Sequence, residues 1–168
     1  MYTISMNWEL RTTSKIQKIG ASTIDFWWIV ARFGLYLYGA IVFGVAYLIT
    51  NKERLLIVAV PVAVTLLLTL ILQRLVRRSR PKATKTTYDL WMHTYSFPSG
   101  HSSISFAFAT SLSILFLSSS LEYSWIYALA FFIVAICIAL SRIVVGVHYA
   151  GDVLIGSLIG ILVSVTLL

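Results

Sequence analysis

Two arginines, two histidines and a carboxylate stand where apolar stretches of this chain meet polar loops. Arg80-Pro81 closes a basic run, Pro98-Ser99-Gly100-His101 follows one loop later, and Ser141-Arg142 precedes His148 and then Asp152. The guanidiniums of Arg80 and Arg142 are permanently charged planar forks that match phosphate oxygens. Pro98 suits the first turn of a helix, and the free N–H groups at such a start bind anions. Ser99 adds a hydroxyl there, and Gly100 lets an anion approach the backbone. His101 then lies beside the anion, in position to move a proton. His148 and Asp152 are four residues apart, on one face if that segment is helical. A carboxylate so placed can accept the imidazole Nδ1–H and leave Nε2 as a nucleophile. Each segment has a plainer reading: a juxtamembrane arginine, a helix cap beside an interfacial histidine, a structural hydrogen-bonded pair. Taken in order, the three read as a site that grips a phosphate and attacks it.

Such a site needs rigid elements to hold it, and the composition says what kind. The chain has 168 residues, 59% of them apolar and only 11% charged. Soluble proteins average roughly 25% charged. A chain this apolar exceeds what one small soluble core can hide, so lipid must solvate much of it. Apolar stretches run over about 26–49, 55–72, 101–119, 124–145 and 151–168. Backbone polar groups in lipid must be satisfied within the segment, which makes these stretches helices. Their lack of alternation argues against a β-barrel. The expectation is an all-α, polytopic transmembrane bundle of five to six helices. Residues 1–25 form an N-terminal interfacial segment, with Trp8, Ile16, Ile19 and Ile24 among Arg11, Lys15 and Lys18, and residues 26–168 form the transmembrane domain. No apolar signal-peptide core is evident in the first 22 residues.

The net charge of +7 is concentrated, with Arg74, Arg77, Arg78, Arg80, Lys82 and Lys85 close together. Arg77, Arg78, Lys82 and Lys85 read equally well as contacts to anionic headgroups. Nucleic acid is not an expected partner, because the run abuts a span and no nucleic-acid module surrounds it. Small residues recur every four positions at Gly156, Gly160 and Ser164 and at Ser105, Ala109 and Ser113. That spacing lets helices approach closely within the bundle. Tyr88, Trp91, Tyr95 and Phe97 suit the headgroup level. Asp89 and His93 read as interfacial polar residues. The lone Cys137 excludes an internal disulfide and a multi-cysteine metal site.

The three segments together resemble the signature of the type-2 phosphatidic acid phosphatase superfamily, which includes membrane lipid phosphatases and soluble vanadium haloperoxidases. That signature is Lys, six residues, Arg-Pro; then Pro-Ser-Gly-His; then Ser-Arg, five residues, His, three residues, Asp. The second and third parts match in full at 98–101 and 141–152. The first departs from the pattern, because Gln73 stands where the family has lysine. Either Gln73 is a weaker, neutral ligand, or a neighbouring arginine such as Arg74 or Arg77 bends in. The departure bears on the strength of phosphate binding and on substrate subtype more than on reaction class. The resemblance implies His148 as nucleophile forming a phosphohistidine, Asp152 as its orienter, and His101 as acid and then base. It implies Arg80, Ser99, Gly100, Arg142 and Gln73 around the phosphate, with no metal and no cofactor.

The expected activity is that of an integral-membrane lipid phosphatase acting on a lipid phosphate or polyprenyl diphosphate, such as undecaprenyl diphosphate or phosphatidylglycerol phosphate. The expected partners are that lipid and the bilayer, with a homo-oligomer left open. Two rivals stand beside this reading: a phosphotransferase between lipids, and a non-catalytic headgroup-binding relative. Five spans put residues 1–25, 73–100 and 146–150 on one side of the membrane. The abundance of Lys and Arg there points to the cytoplasm, whereas the resemblance implies the extracytoplasmic face of a bacterial cell membrane. The second placement is preferred, since several of these arginines have a phosphate to bind.

Overall fold

The computed structural model describes residues 7–49, 55–81, 95–118 and 122–168. The described residues form six α-helices: α1 (Asn7–Gly20), α2 (Ile24–Ile49), α3 (Leu55–Val76), α4 (Gly100–Leu117), α5 (Ser124–Val144) and α6 (Ala150–Leu167). A single 3₁₀ turn, Ala21–Thr23, joins α1 to α2. The protein is the expected all-α bundle, and five of its helical segments are long and apolar enough to cross a membrane. Each apolar stretch is a helix, with ends within about four residues of those expected. Lys82, Lys85, Tyr88, Asp89, Trp91 and His93 lie outside the described residues.

The bundle is organised around α4, which packs against α2, α3, α5 and α6. Its serines are buried, and several bond back to their own helix: Ser103 Oγ donates to the Ser99 carbonyl at 2.9 Å and Ser105 Oγ to the Ser102 carbonyl at 3.2 Å. Polar side chains satisfied in this way let a serine-rich helix sit where lipid does not reach. The small-residue stripe on α6 faces α4, as its spacing requires. A Cβ on Gly156 would lie 2.6 Å from the Ser99 carbonyl oxygen, and one on Gly160 would strike the Ser103 carbonyl. Further along, Ser164 Oγ donates to the Ala107 carbonyl at 3.3 Å. This close approach fixes the start of α4 beside the start of α6. Away from that end, Leu35, Tyr38, Val42, Phe108, Leu112, Leu115 and Ile138 form the main apolar core.

The N-terminal helix is attached to the bundle and is not merely laid against it. Ile16 packs on Ile143, Ala150 and their neighbours, while Glu9, Thr13 and Gly20 are buried. Trp8, Leu10 and Ile19 remain exposed.

Candidate active site

The turn between α5 and α6 carries most of the chemistry, and its geometry explains the Ser-Arg-to-His spacing. Gly146 has φ 80°, a left-handed conformation that glycine adopts without steric penalty. The chain therefore reverses so that Val147 N and His148 N both donate to the Arg142 carbonyl at 3.2 Å. Those bonds hold His148 at a fixed position relative to Arg142. One turn on, the Asp152 carboxylate caps α6 by accepting from Tyr149 N at 2.9 Å.

The partners of His148 select its tautomer. An arginine can only donate, so the 3.2 Å contact between Arg80 Nη1 and His148 Nε2 makes Nε2 the acceptor. The proton then resides on Nδ1, which donates to the Ser96 carbonyl at 2.7 Å. This differs from the sequence expectation that Asp152 receives the Nδ1–H. Asp152 Oδ2 lies 3.6 Å from Nδ1, beyond a hydrogen bond but close enough for strong charge interaction. Ser96 reaches this place because its own N–H donates to the Arg78 carbonyl at 2.9 Å and its hydroxyl to the Ser79 carbonyl at 3.0 Å. Burial holds the His148 imidazole well below its ordinary value of 6.5, the nearby Arg80 and Arg142 charges lower it further, and the Ser96 carbonyl pulls weakly the other way. The ring is thus neutral at pH 7, with Nε2 turned toward Arg80.

A cavity lies in front of that nitrogen. Its polar wall is Gln73, Thr69, Arg80, Gly100, His101, Arg142 and His148, and its apolar wall is Leu35, Leu66, Leu70 and Ile104. Five of the sequence-predicted residues beside His148 therefore meet around one space: Arg80, Arg142, His101, Gly100 and Gln73. Arg142 is fully buried and anchored by donation from Nη1 to the Ala31 carbonyl at 2.6 Å. Arg80 is held by the Val147 carbonyl at 3.3 Å. Gln73 Nε2 donates to the Pro98 carbonyl at 2.9 Å, while its buried Oε1 has no hydrogen-bond partner among the described residues. Arg74 and Arg77 are exposed, and Arg77 Nε donates to the Arg74 carbonyl at 3.0 Å. Gln73 lines the cavity, and Arg74 and Arg77 do not.

Ser99 does not line the cavity. It caps α4, its Oγ accepting from the Ser102 hydroxyl at 3.0 Å, and its N–H donates to the Asp152 carbonyl at 3.0 Å. Asp152 is likewise set back from the cavity. Its Oδ1 accepts from Arg78 Nη1 at 2.8 Å, and Arg78 forms a fork with Glu9 at 2.6 and 2.9 Å. Arg78 is therefore a buried structural cation and not a headgroup contact. Burial lowers its affinity for the proton, but the bonds to Glu9 and the charge of Asp152 more than offset that. Its guanidinium also lies over the Tyr149 ring, 4.3 Å from the centroid. Sequence reasoning missed Glu9, Arg78, Ser96 and Thr69. Only Arg78 carried a signal, its place two residues before Arg80.

The family model described as the PAP2 superfamily matches residues 54–168. The crystal structure of Aquifex aeolicus LpxE superposes with a TM-score of 0.73 at 24% identity, covering 99% of this chain and 98% of that one. The first transmembrane PAP2-type phosphatidylglycerolphosphate phosphatase from Bacillus subtilis superposes with a TM-score of 0.67 at 22% identity, covering 97% of this chain and 76% of that one. No curated protein sequence matches the chain.

Proposed function

This chain belongs to the PAP2 superfamily, and from that premise we propose that it is an integral-membrane lipid phosphatase working through a phosphohistidine. The observation that carries the reading is the position of His148 Nε2, 3.2 Å from Arg80 Nη1 at the edge of a cavity walled by Arg142, His101 and Gln73. Nε2 attacks phosphorus and the bond to the lipid oxygen breaks. His101 gives that oxygen a proton. Water then attacks phosphorus while His101 takes its proton, and the phosphorus–nitrogen bond breaks, releasing phosphate and restoring His148. Arg80, Arg142, Gln73 and the α4 start at Gly100 stabilise the equatorial oxygens, which supplies without a metal the charge that phosphoryl transfer demands. Ser99 contributes by fixing that helix start.

The substrate is a lipid phosphate or polyprenyl diphosphate, such as phosphatidylglycerol phosphate or undecaprenyl diphosphate. The apolar wall of Leu35, Leu66, Leu70 and Ile104 suits the first carbons of a lipid tail, with the phosphate against the arginines. Residues 1–25 act as an interfacial segment, exposing Trp8, Leu10 and Ile19. The site faces the extracytoplasmic side of a bacterial cell membrane.

Phosphate release by detergent-solubilised protein from a panel of lipid phosphates tests the reading. The expected result is release that chelators leave unchanged and vanadate inhibits, because vanadate resembles the trigonal-bipyramidal transition state. Loss of rate in chelator that magnesium restores would overturn the metal-free mechanism. Phosphate appearing on a second lipid and not in water would make the protein a transferase.

A further inference from the structure

Glu9 belongs to none of the three segments, yet it is 3% exposed and ends up behind the nucleophile. A buried carboxylate is costly unless paired and hydrogen-bonded, and the pairing here is specific. Its two oxygens take both Nη groups of Arg78, and Oε1 also accepts from Gly151 N at 3.1 Å. One turn along α1, Thr13 Oγ1 accepts from Ala150 N at 3.0 Å. The N-terminal helix therefore caps the start of α6, the helix that carries Asp152.

The charges give this arrangement a second consequence. Arg78 alone would cancel the Asp152 carboxylate, whose Oδ2 lies 3.6 Å from His148 Nδ1. With Glu9 on the same guanidinium, the trio keeps a single net negative charge behind the ring. In front, Arg80 and Arg142 oppose any positive charge on the imidazole. A phosphorylated imidazole that keeps its Nδ1–H carries such a charge.

We propose that Glu9 is a positioning residue of the active site: through Arg78 it fixes Asp152 and maintains net negative charge behind His148 while the ring carries phosphorus. The proposal rests on the phosphohistidine reading above. It makes α1 part of the catalytic apparatus and not only a membrane contact. Among the described residues, the charged and titratable groups that face His148 are Arg80 and Arg78 from the segment after α3, His101 on α4, Arg142 on α5 and Asp152 on α6, and Glu9 on α1 joins them through Arg78. Of these, Glu9 is the one whose charge can be removed without touching the cavity wall or the carboxylate beside the ring.

The test is Glu9→Gln in the full chain, read by turnover and by histidine-selective NMR. The chain has three histidines, His93, His101 and His148, and the His148 signal is identified by its loss in His148→Ala. Removing negative charge should move the His148 titration and the acid limb of kcat/KM to lower pH. kcat should fall by about 10- to 100-fold, the scale felt when the partner orienting a ligating histidine is removed, with KM little changed. Glu9→Asp should recover most of the turnover. Gly151→Ala, whose Cβ would meet Glu9 Oε1, should reproduce the effect in smaller measure without deleting the carboxylate, and it decides the matter if Glu9→Gln does not fold. Lys15→Gln, exposed on the same helix, should change nothing. An unmoved His148 titration with wild-type kcat in a folded variant overturns the proposal. If the wild type releases no phosphate from any lipid, the function reading fails, and the NMR titration still decides whether Glu9 sets the charge behind His148.

Discussion

The two sides of the His148 ring are built differently. In front, toward the cavity, stand two guanidiniums, an amide and a histidine supplied by the ends of α3, α4 and α5. Behind stand two carboxylates sharing one guanidinium, with a backbone carbonyl on the ring proton. The front is cationic and borders the cavity. The back is buried and anionic in sum. On the proposed mechanism the difference has a reason: a phosphate-attacking histidine needs opposite surroundings on its two nitrogens, cations where the anion arrives and negative charge where the ring must carry its own positive one.

The largest effect should come from the ring that separates the two sides. His148→Ala should abolish phosphate release, a loss on the order of 10⁴-fold or more, in protein that retains its helical content and detergent-extracted size. Near-wild-type release from such a variant would show that the front cavity works without this nucleophile and would end the comparison.

Next is the front cation that touches Nε2. Arg80→Gln should reduce kcat/KM by about 10²- to 10³-fold, as loss of one preorganised group at developing charge does. Arg77→Gln, three residues earlier and exposed, should change it little. Equal losses in both would mean that the basic run acts through its overall field and not through one fork on one ring.

The front was legible in the sequence and the back was not, for physical reasons. Arg80, His101, Arg142 and His148 sit at helix ends in a fixed order, because a phosphate site in a bundle must be assembled where spans terminate. The length of the apolar runs placed α2 to α6, and the stripe at Gly156 and Gly160 correctly indicated tight packing within the bundle. Glu9 looked like one more polar residue on an amphipathic helix, and nothing local marks a partner 69 positions away. Arg78 was hidden among exposed neighbours of the same charge. The Ser96 carbonyl has no side-chain signature at all, so the obvious i,i+4 carboxylate was assigned the bond that a backbone atom makes.

A smaller effect concerns the ionisation of the ring. His148 is held below 6.5, so it binds its proton only at lower pH than a free imidazole does. The nucleophilic form therefore persists as pH falls through 6.5, and activity is lost only on the acid side of that value. The acid limb of kcat/KM should lie below pH 6.5. A limb at or above it would mean that the negative charge behind the ring outweighs burial and the two front arginines.

The smallest effect should come from Gln73, the front residue that departs from the family pattern. It is buried on the cavity wall and donates to the Pro98 carbonyl, and a lysine there can keep that bond while adding a charge toward the phosphate. A charge-assisted hydrogen bond is roughly twice as strong as a neutral one. The gain is largest where phosphate charge is most concentrated, so Gln73→Lys should raise kcat more than it lowers KM, by about tenfold at most. The empty site should suffer instead, because a third cation joins Arg80 and Arg142 with no anion to offset it. The variant should therefore melt below wild type in the absence of ligand and recover when vanadate is added. Arg74→Gln should be nearly silent, since that side chain is exposed on the far side of Gln73. A large activity loss in Gln73→Lys together with a collapse in Arg74→Gln would show that an arginine serves the lysine's role during turnover. The front would then be complete without Gln73, and its neutral amide would be needed to keep the cations from crowding one another.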